Sequence, residues 1–411
     1  MGYVYRRQAI DDLVPGMVLG KMIVTTDGKI FLNEGAVLTL RTIQTLQLWG
    51  FRYVEIREER QNDWQGTDND VKNDSEEISE QTEIQKDVEQ AALELENAAA
   101  IAEELISAGN ISEDVTPEQD ETEFPSNVPL EFVEHYQAAL QILKKHLGKV
   151  RFVKDDFNGD EIRQMVTTSI IPLIEDHSVT DFLQMISHEE DYLYHHSVDV
   201  GIIAGCLSFW MGRSYHEIEE TILGALLHDV GKALIPLKVL NKPGSLTDEE
   251  MHLVRFHSIR GYKFLKEYGD FSQSVLLCAL QHHERIDGSG YPMAVRGDKI
   301  HPYAKVIAVA DVFDAMTSAR GYGSRATPYE AVEIMKREMA GKLDQQICSI
   351  FLDKLSQRFV GDIVQLSNGQ RGEVVFLNPH DCTRPIVRTR DGEFFDLDKH
   401  RNLSINKMLH S

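Results

Sequence analysis

The sequence predicts a multidomain protein with a central all-α domain, a small N-terminal α/β unit and a small C-terminal β unit. Three observations support this. The chain has 411 residues, which exceeds one ordinary hydrophobic core. Apolar residues recur every three to four positions between residues 130 and 355, and they alternate with period two near both ends. We therefore expect segments at 1–58, 59–127, 128–356 and 357–411.

The N-terminal segment is expected to be an accessory or input module. Residues 17–32 alternate and contain the hairpin turn signal Asp27-Gly28. Residues 39–49 have helical spacing with Thr39 as a plausible N-cap, and residues 51–56 are typical of a closing strand. This segment contains no catalytic set of residues.

The second segment, 59–127, is strongly acidic. Between residues 61 and 125 there are 20 Asp and Glu, two Lys and no Arg, which supply -18 of the formal net charge of -24. Such a run is typical of a solvated spacer. The Ala-, Glu- and Leu-rich part, 85–106, leaves room for a helix that mediates a homodimer or binds a signalling partner. Because the rest of the chain is only mildly acidic, we expect no basic groove for a nucleic acid polymer.

Several features predict a cytoplasmic protein without a membrane span. The four cysteines are scattered, as in a reducing compartment. No signal-peptide core follows the N-terminus, and the longest nearly apolar run, 201–212, is shorter than the about 20 residues that a spanning helix needs.

The central segment is expected to be helical over 131–147, 159–174, 179–186, 196–211, 217–227, 248–268, 272–283 and 304–316. Residues 362–366, 372–377 and 385–389 alternate and are split by turn signals, which predicts a small β-barrel or meander.

The first motif that carries chemistry is Leu226-Leu-His-Asp-Val-Gly-Lys232. On a continuous helix, His228 and Lys232 share a face, and Asp229 is also a neighbour of Lys232. An imidazole beside a carboxylate at the edge of a core suits a first-row divalent metal, and the carboxylate can bridge two ions. A buried, hydrogen-bonded His–Asp pair is the alternative.

The second motif runs from Gln281-His-His-Glu to Asp287-Gly-Ser-Gly-Tyr-Pro292. On one helix, His282 and His283 would point about 100° apart, so they are not expected to chelate one ion as an i, i+4 pair does. They could line a wider site with two ions. The glycines leave the backbone free to approach a ligand, and Tyr291 could stack on a base or close the pocket. The alternative is a helix cap followed by an ordinary turn.

The third motif is Val309-Ala-Asp-Val-Phe-Asp-Ala-Met-Thr317. Asp311 lies in an apolar helical context, where an unpaired carboxylate is costly and a metal would neutralise it. Asp314 and Thr317 are expected to be supporting or capping groups. His196 and His257, each taken singly, are more often structural histidines.

In combination, these motifs closely resemble the HD-GYP family, a branch of the HD phosphohydrolases. The matching residues are His228-Asp229 with Gly231-Lys232, then His282-His283-Glu284 running into Asp287-Gly-Ser-Gly-Tyr-Pro292, and then the segment from Asp311 to Arg320. The resemblance covers about residues 191–331, with weaker continuity to about 355, and it does not cover the flanking regions.

The resemblance implies a phosphodiesterase that hydrolyses cyclic di-GMP to linear pGpG, GMP or both through a hydroxide activated by two metal ions. It implies one ion held by His196, His228, Asp229 and Asp311, and a second held by His257, His282 and His283 with Asp229 as the bridge. The metal would be iron or manganese. It also implies catalytic roles for Asp229 and Lys232, and substrate contacts from Gly288, Gly290, Tyr291, Pro292 and Arg320.

Three departures from the family pattern matter. Tyr192 stands where some members have a Glu that holds a third metal, so we expect two metals. Gly321-Tyr-Gly323 stands where the family has Pro-Tyr and a basic residue, and the loss of the basic residue removes one phosphate contact. Lys305 stands where the family has an Arg. Two alternatives stay open: a related phosphohydrolase for another cyclic dinucleotide or nucleotide, and a receptor or scaffold that binds cyclic di-GMP without cleaving it.

Overall fold

The computed structural model describes residues 3–24, 30–39, 42–43, 46, 51–59, 124, 128–148, 150, 157–176, 192–242, 244–318, 328–338, 340–378 and 381–409. The expected helix over 179–186, most of the acidic segment and Arg320 lie outside these residues. The boundaries between the four proposed segments stay predictions.

The N-terminal region contains short strands, as expected. Strand β1 (Tyr3–Ala9) pairs antiparallel with β5 (Tyr53–Glu59), and β5 pairs on its other side with β2 (Val18–Leu19). Strands β3 (Ile23–Val24) and β4 (Ile30–Leu32) pair with each other. The turn signal between them lies outside the described residues.

The central region is helical, which confirms the predicted class. Its helices are α1 (Leu130–Leu147), α2 (Gly159–Met165), α3 (Ile171–Asp176), α4 (Tyr192–Trp210), α5 (Tyr215–Leu227), α6 (Leu237–Leu240), α7 (Asp248–Arg255), α8 (His257–Tyr268), α9 (Gln273–Gln281), α10 (Pro302–Thr317), α11 (Pro328–Glu338) and α12 (Gln345–Ser356). Helices α2 and α3 are joined by a π-helical turn, Val166–Ile170.

Helix α4 lies at the centre of this region. Fourteen of its residues, from His195 to Ser208, are buried, because it is apolar on every side and such a helix avoids water on all faces. It packs against α1, α5, α10 and α12. The metal-ligand candidate His196 therefore enters the core on a helix that is buried along most of its length.

The predicted helix over 248–268 is two helices that meet at Phe256. Nδ1 of His257 lies 2.7 Å from the carbonyl oxygen of Val254, the acceptor that the amide of Ser258 would use in a continuous helix. The break turns the imidazole of His257 toward α9 rather than along the α7 surface.

The C-terminal region is a five-stranded antiparallel sheet with the order β10-β6-β7-β8-β9. Its strands are β6 (Ile363–Leu366), β7 (Arg371–Asn378), β8 (Asp381–Thr389), β9 (Phe394–Asp396) and β10 (Ile405–Leu409). The alternation in the sequence predicted three of these strands. Lys336 of α11 forms an ion pair with Asp381 of β8 at 3.0 Å. None of the helices in the described part of the chain is long and apolar enough to cross a membrane.

Candidate metal centre

The His-Asp motif lies just beyond the end of α5, not within a helix. A capping box formed by Ser214 and Glu217 begins α5, the helix ends at Leu227, and His228 is its C-cap. Asp229 leaves the helical conformation (φ -101°, ψ 9°), and Val230–Leu234 form a 3₁₀ turn. The expectation that His228 and Lys232 share a helical face is therefore wrong. Asp229 and Lys232 are neighbours as expected, because the ammonium group donates to Oδ2 of Asp229.

Two groups of candidate ligands meet around Asp229. One contains His196, His228 and Asp311, and the other contains Asp229, His257, His282 and His283; within each group the ligand atoms lie within 4.8 Å of one another. The structure thus brings together all seven residues that the resemblance implies as metal ligands, in the same two sets.

The two carboxylate oxygens of Asp229 face different groups. Oδ2 lies 3.5 Å from Nε2 of His196 and 3.3 Å from Nε2 of His228. Oδ1 lies 3.1 Å from Nε2 of His257 and 3.7 Å from Nε2 of His282. A carboxylate in this position can bridge two ions, with one oxygen for each.

His282 and His283 do not diverge as helical neighbours would. Helix α9 ends at Gln281, and His282 is its C-cap. The two ring centroids are 4.1 Å apart, so both imidazoles line the same side of the cluster. The expectation of divergent rings assumed a helix that continues through both residues.

The Nδ1 atoms of three imidazoles in the cluster contact backbone carbonyl oxygens. Nδ1 of His228 lies 2.6 Å from the carbonyl oxygen of Ala225, and Nδ1 of His282 lies 3.1 Å from that of Cys278. His257 makes the equivalent contact with Val254. A neutral imidazole that donates from Nδ1 presents a lone pair at Nε2. The backbone therefore orients three lone pairs into the cluster, as histidine metal ligands require.

Several buried atoms in the cluster have no hydrogen-bond partner among the described residues, namely Nε2 of His196, Nε2 of His228 and Oδ1 of Asp229. Buried polar atoms are almost always satisfied, and nitrogen lone pairs facing a carboxylate repel. A divalent cation in the His196 group would satisfy the two nitrogens, and one in the His257 group would satisfy Oδ1 of Asp229, so the residues fit metal ions.

Asp314 orients His196 from the side opposite the cluster. Its Oδ2 lies 2.6 Å from Nδ1 of His196, and its Oδ1 accepts a hydrogen bond of 2.8 Å from Ser318. The expected supporting role of Asp314 thus has a contact, whereas Thr317 donates to the Phe313 carbonyl at 3.0 Å within α10.

Replacing Asp314 by Asn is expected to weaken metal binding at the His196 group about 10- to 100-fold, because an amide no longer fixes the ring with a charged acceptor. Metal titration with a chelator competitor measures this change. Asp391→Asn, in an exposed C-terminal turn, is the matched control. Unchanged metal affinity in Asp314→Asn would contradict the assignment.

The electrostatics of Asp229, Asp311, His282 and His283 match the protonation states that metal binding needs. In the metal-free chain the pKa of His196 is instead held well above its ordinary value, because burial, which lowers it, is outweighed by Tyr192 and by the carboxylates around the ring. Burial opposes ionisation of Asp229, but the Lys232 ammonium and the imidazole of His228 outweigh it and hold the pKa of Asp229 well below its usual range. The pKa of Asp311 is also lowered against the effect of burial, mainly by the contact with His196. Burial, together with the adjacent imidazoles, lowers the pKa of His282 and of His283 well below the ordinary value. Ionised carboxylates and neutral imidazoles are the ligand forms.

The same shifts predict the pH dependence of stability in metal-free protein. Because the pKa of His283 is lower in the folded than in the unfolded chain, protons bind preferentially to the unfolded chain below about pH 6.5. The contribution of His283 to the free energy of unfolding should therefore be lost as the pH drops from 7 to 5, whereas His196, whose pKa is raised, contributes with the opposite sign. Urea denaturation with a chelator present measures it. His283→Gln should reduce the slope, and an unchanged slope would contradict this account.

The Gly-Tyr-Pro loop lies beside the second ligand group. The ring of Tyr291 lies 4.6 Å from that of His283, and the Tyr291–Pro292 peptide bond is cis. Gly288 has φ +80°, a conformation that favours glycine. A Cβ on Gly290 would lie 2.5 Å from the Arg285 amide nitrogen, so glycine is required for this close approach. Of the proposed substrate residues, Tyr291 and Gly290 thus lie against His283, the nearest neighbours of Gly288 are Arg296 and Ala294, and Arg320 lies outside the described residues.

The loop is held by Glu284, a residue that the sequence analysis matched to the family but gave no role. Glu284 is 2% exposed, and its Oε1 accepts a 2.7 Å hydrogen bond from the amide of Met293. Burial raises the pKa of Glu284, against the opposing effect of the amides of Met293, Val295 and Ala294. The side chain ties the end of the His-His motif to the chain after Pro292.

Replacing Glu284 by Gln is expected to loosen this loop, because an amide is a weaker acceptor than a carboxylate for several N–H groups. We expect KM to rise about fivefold to tenfold with metal content unchanged, since the amide oxygen still accepts the bond and only part of the roughly 1.5–3 kcal/mol of a charge-assisted bond is lost. Steady-state kinetics and metal analysis on one sample test it. Loss of metal in Glu284→Gln would instead indicate a role within the cluster.

Two further contacts were not predicted. Tyr192, at the position of the third-metal Glu in the family, stacks on His196 with the ring centroids 5.3 Å apart. Tyr136 of α1 donates a 2.8 Å hydrogen bond to Asp199 and lies 3.0 Å from Nδ1 of His195. The pairing of Tyr136 with α4 joins residues far apart in the chain, and no local pattern reports it.

Comparison with known proteins agrees with this geometry. Residues 183–347 match the family model described as HD domain. The chain is 36% identical over 206 residues to cyclic di-GMP phosphodiesterase PA4108 of Pseudomonas aeruginosa, which is 50% of each chain. It is 46% identical over 121 residues to the cyclic di-GMP phosphodiesterase response regulator RpfG of Xanthomonas campestris, covering 29% of this chain and 32% of the relative.

A third relative differs in the substrate that it is named for. The chain is 33% identical over 177 residues to 3'3'-cGAMP-specific phosphodiesterase 1 of Vibrio cholerae, covering 43% of this chain and 41% of the relative. The chain thus spans about half the length, or less, of these curated relatives.

Proposed function

We propose that the chain is a metal-dependent phosphodiesterase that hydrolyses cyclic di-GMP to linear pGpG, GMP or both. The match of residues 183–347 to the HD domain model and the similarity to two cyclic di-GMP phosphodiesterases support this proposal. The observation that carries the proposal is the position of Asp229, whose two oxygens face two separate sets of imidazole nitrogens. This is an arrangement for two ions around one bridging carboxylate.

The proposed ligands of one ion are His196, His228, Asp229 and Asp311, and those of the second are Asp229, His257, His282 and His283. Imidazole and carboxylate donors without a thiolate suit iron and manganese, and we propose one of these metals. We propose two ions rather than three, because the third-metal position is Tyr192, which stacks on His196.

When bound, two divalent ions supply a nucleophilic water at neutral pH and polarise the phosphate oxygens. The residues of the chain contribute the rest. Burial of Asp229 and Asp311 keeps competing water away from the ligand oxygens. Lys232 contacts Asp229 and its side chain is 21% exposed, so its ammonium can offset negative charge that develops on the phosphate. Tyr291 forms a wall next to His283.

A second candidate substrate is another cyclic dinucleotide, which the similarity to a relative named for 3'3'-cGAMP supports. The third candidate, a receptor that binds cyclic di-GMP without cleaving it, is less well supported. All seven ligand side chains are in place, whereas a receptor has no need to keep them.

The test is product analysis with anaerobically purified protein loaded with iron or manganese. Cyclic di-GMP and 3'3'-cGAMP are the substrates, and metal per chain is measured on the same sample. About two metals and a linear product from cyclic di-GMP would support the proposal. Preferred cleavage of 3'3'-cGAMP would assign the second candidate, and bound ligand without product from a metal-loaded sample would assign the receptor.

A further inference from the structure

Arg255 is an exposed cation beside the cluster. It is the last residue of α7, two positions before His257. Its Cζ lies 5.4 Å from the ring centroid of Tyr291, and that ring lies 4.6 Å from the ring of His283. A single aromatic ring therefore separates the guanidinium group from the imidazoles of the second ligand group.

The position of Arg255 is fixed by two contacts. The contact between His257 and the Val254 carbonyl ties the end of α7 to the cluster. Cζ of Arg255 then lies over the ring of Tyr291, a cation–π contact that arginine makes more often than lysine. The side chain thus loses less conformational entropy when it binds a ligand than a free surface arginine would.

The N–H donors of Arg255 have no hydrogen-bond or ion-pair partner within the described part of the chain. Other cations near the site are used by the protein. Lys232 donates to Asp229, and Arg285 donates to the carbonyl oxygens of His282 and Glu284. The guanidinium of Arg255 is therefore positioned, charged and available.

A cyclic dinucleotide has two phosphates, and the proposed cluster can engage only the one that is being cleaved. The other phosphate is an anion that must lie near the cluster yet outside it. Arginine binds phosphate oxygens with two parallel charge-assisted hydrogen bonds. We propose that Arg255, stacked on Tyr291, binds the phosphate that is not being cleaved, an inference that rests on the proposed phosphodiesterase function. The contact contributes to substrate affinity and not to cleavage of the bond.

The test compares Arg255→Gln with the wild type in metal-loaded form. KM and Kd for cyclic di-GMP are expected to rise about tenfold, equivalent to about 1.4 kcal/mol. The value of kcat should change less than about twofold, because uniform binding is lost, and metal content should be unchanged. Arg255→Lys, which keeps the charge but not the planar fork, should recover about half of the lost binding energy.

Arg371→Gln is the matched control, because it removes the same charge from an exposed position in the C-terminal sheet. It should leave KM unchanged. Unchanged KM and Kd in Arg255→Gln would overturn the inference, and so would an equal rise in Arg371→Gln, which would indicate a general charge effect.

Two readouts separate the inference from the proposed function and from other contacts. A wild type that binds cyclic di-GMP without cleaving it refutes the phosphodiesterase alone, and the Kd values then decide the role of Arg255. A wild type that neither binds nor cleaves overturns both.

The KM for 3'3'-cGAMP should rise by the same factor in Arg255→Gln, because the phosphates are the same. A rise for cyclic di-GMP alone would indicate a contact to a guanine base and overturn the phosphate contact.

Discussion

Replacement of Asp229 by Ala is expected to abolish both metal loading and turnover, with kcat at least about 10³-fold lower. Two divalent ions contribute several kcal/mol of stabilisation to the transition state, and each 1.4 kcal/mol corresponds to a factor of ten. Both carboxylate oxygens of Asp229 lie within 3.7 Å of imidazole nitrogens of the two groups. Removing the side chain therefore takes one ligand from each proposed ion.

The measurement is metal per chain and product formation on the same preparation. Asp229→Asn is the matched variant of the same shape. It should no longer bridge two ions, because its NH₂ group is a hydrogen-bond donor and replaces one of the two ligand oxygens. Circular dichroism shows whether either variant has unfolded. Near-normal turnover with two metals bound in Asp229→Ala would refute the assignment of the site.

Replacement of Gly231 by Ala should destabilise the fold by roughly 3 kcal/mol or more, the range of severe core disruption. A Cβ at this position would overlap the carbonyl oxygen of His257 and lie 2.7 Å from the amide nitrogen of Gly261. Both neighbours are backbone atoms of α8, so neither can move as a side chain does. The turn that carries Asp229 would separate from the helix that carries His257.

Urea denaturation of metal-free protein measures this cost, and metal titration should show weaker binding in whatever folds. Gly201→Ala is the matched control. There the added Cβ would lie 3.0 Å from Cδ2 of Leu226, the end of a flexible side chain that can move. Alanine also favours the helix over glycine. We therefore expect the free energy of unfolding to fall by about 1 kcal/mol or less. Equal stability of both variants would contradict the close approach at Gly231.

The start of one helix was predicted to within a residue, whereas α5 begins two residues before the predicted start at 217. Ser272, the first residue of the predicted helix over 272–283, caps α9 with its hydroxyl group. The ends were less predictable: the helix over 248–268 breaks because a side chain of the cluster, His257, bonds the carbonyl of Val254. Periodicity continues through such a break, since the apolar face is the same on both sides.

The set of metal-ligand candidates came from the resemblance of the sequence motifs to the HD-GYP family, whereas the helical class of the centre and the strands at both ends follow from the periodicity of the sequence. Only the tertiary structure decided where the ligand atoms point. His228 and His282 are the C-cap residues of α5 and α9, so helical spacing does not relate them to the residues that follow them. His196 and its partner Asp314 are 118 residues apart in the chain. Helical periodicity relates residues three or four apart. The contacts of the two Asp229 oxygens and the contact of Arg255 with Tyr291 join segments far apart in the chain, so they depend on how those segments pack.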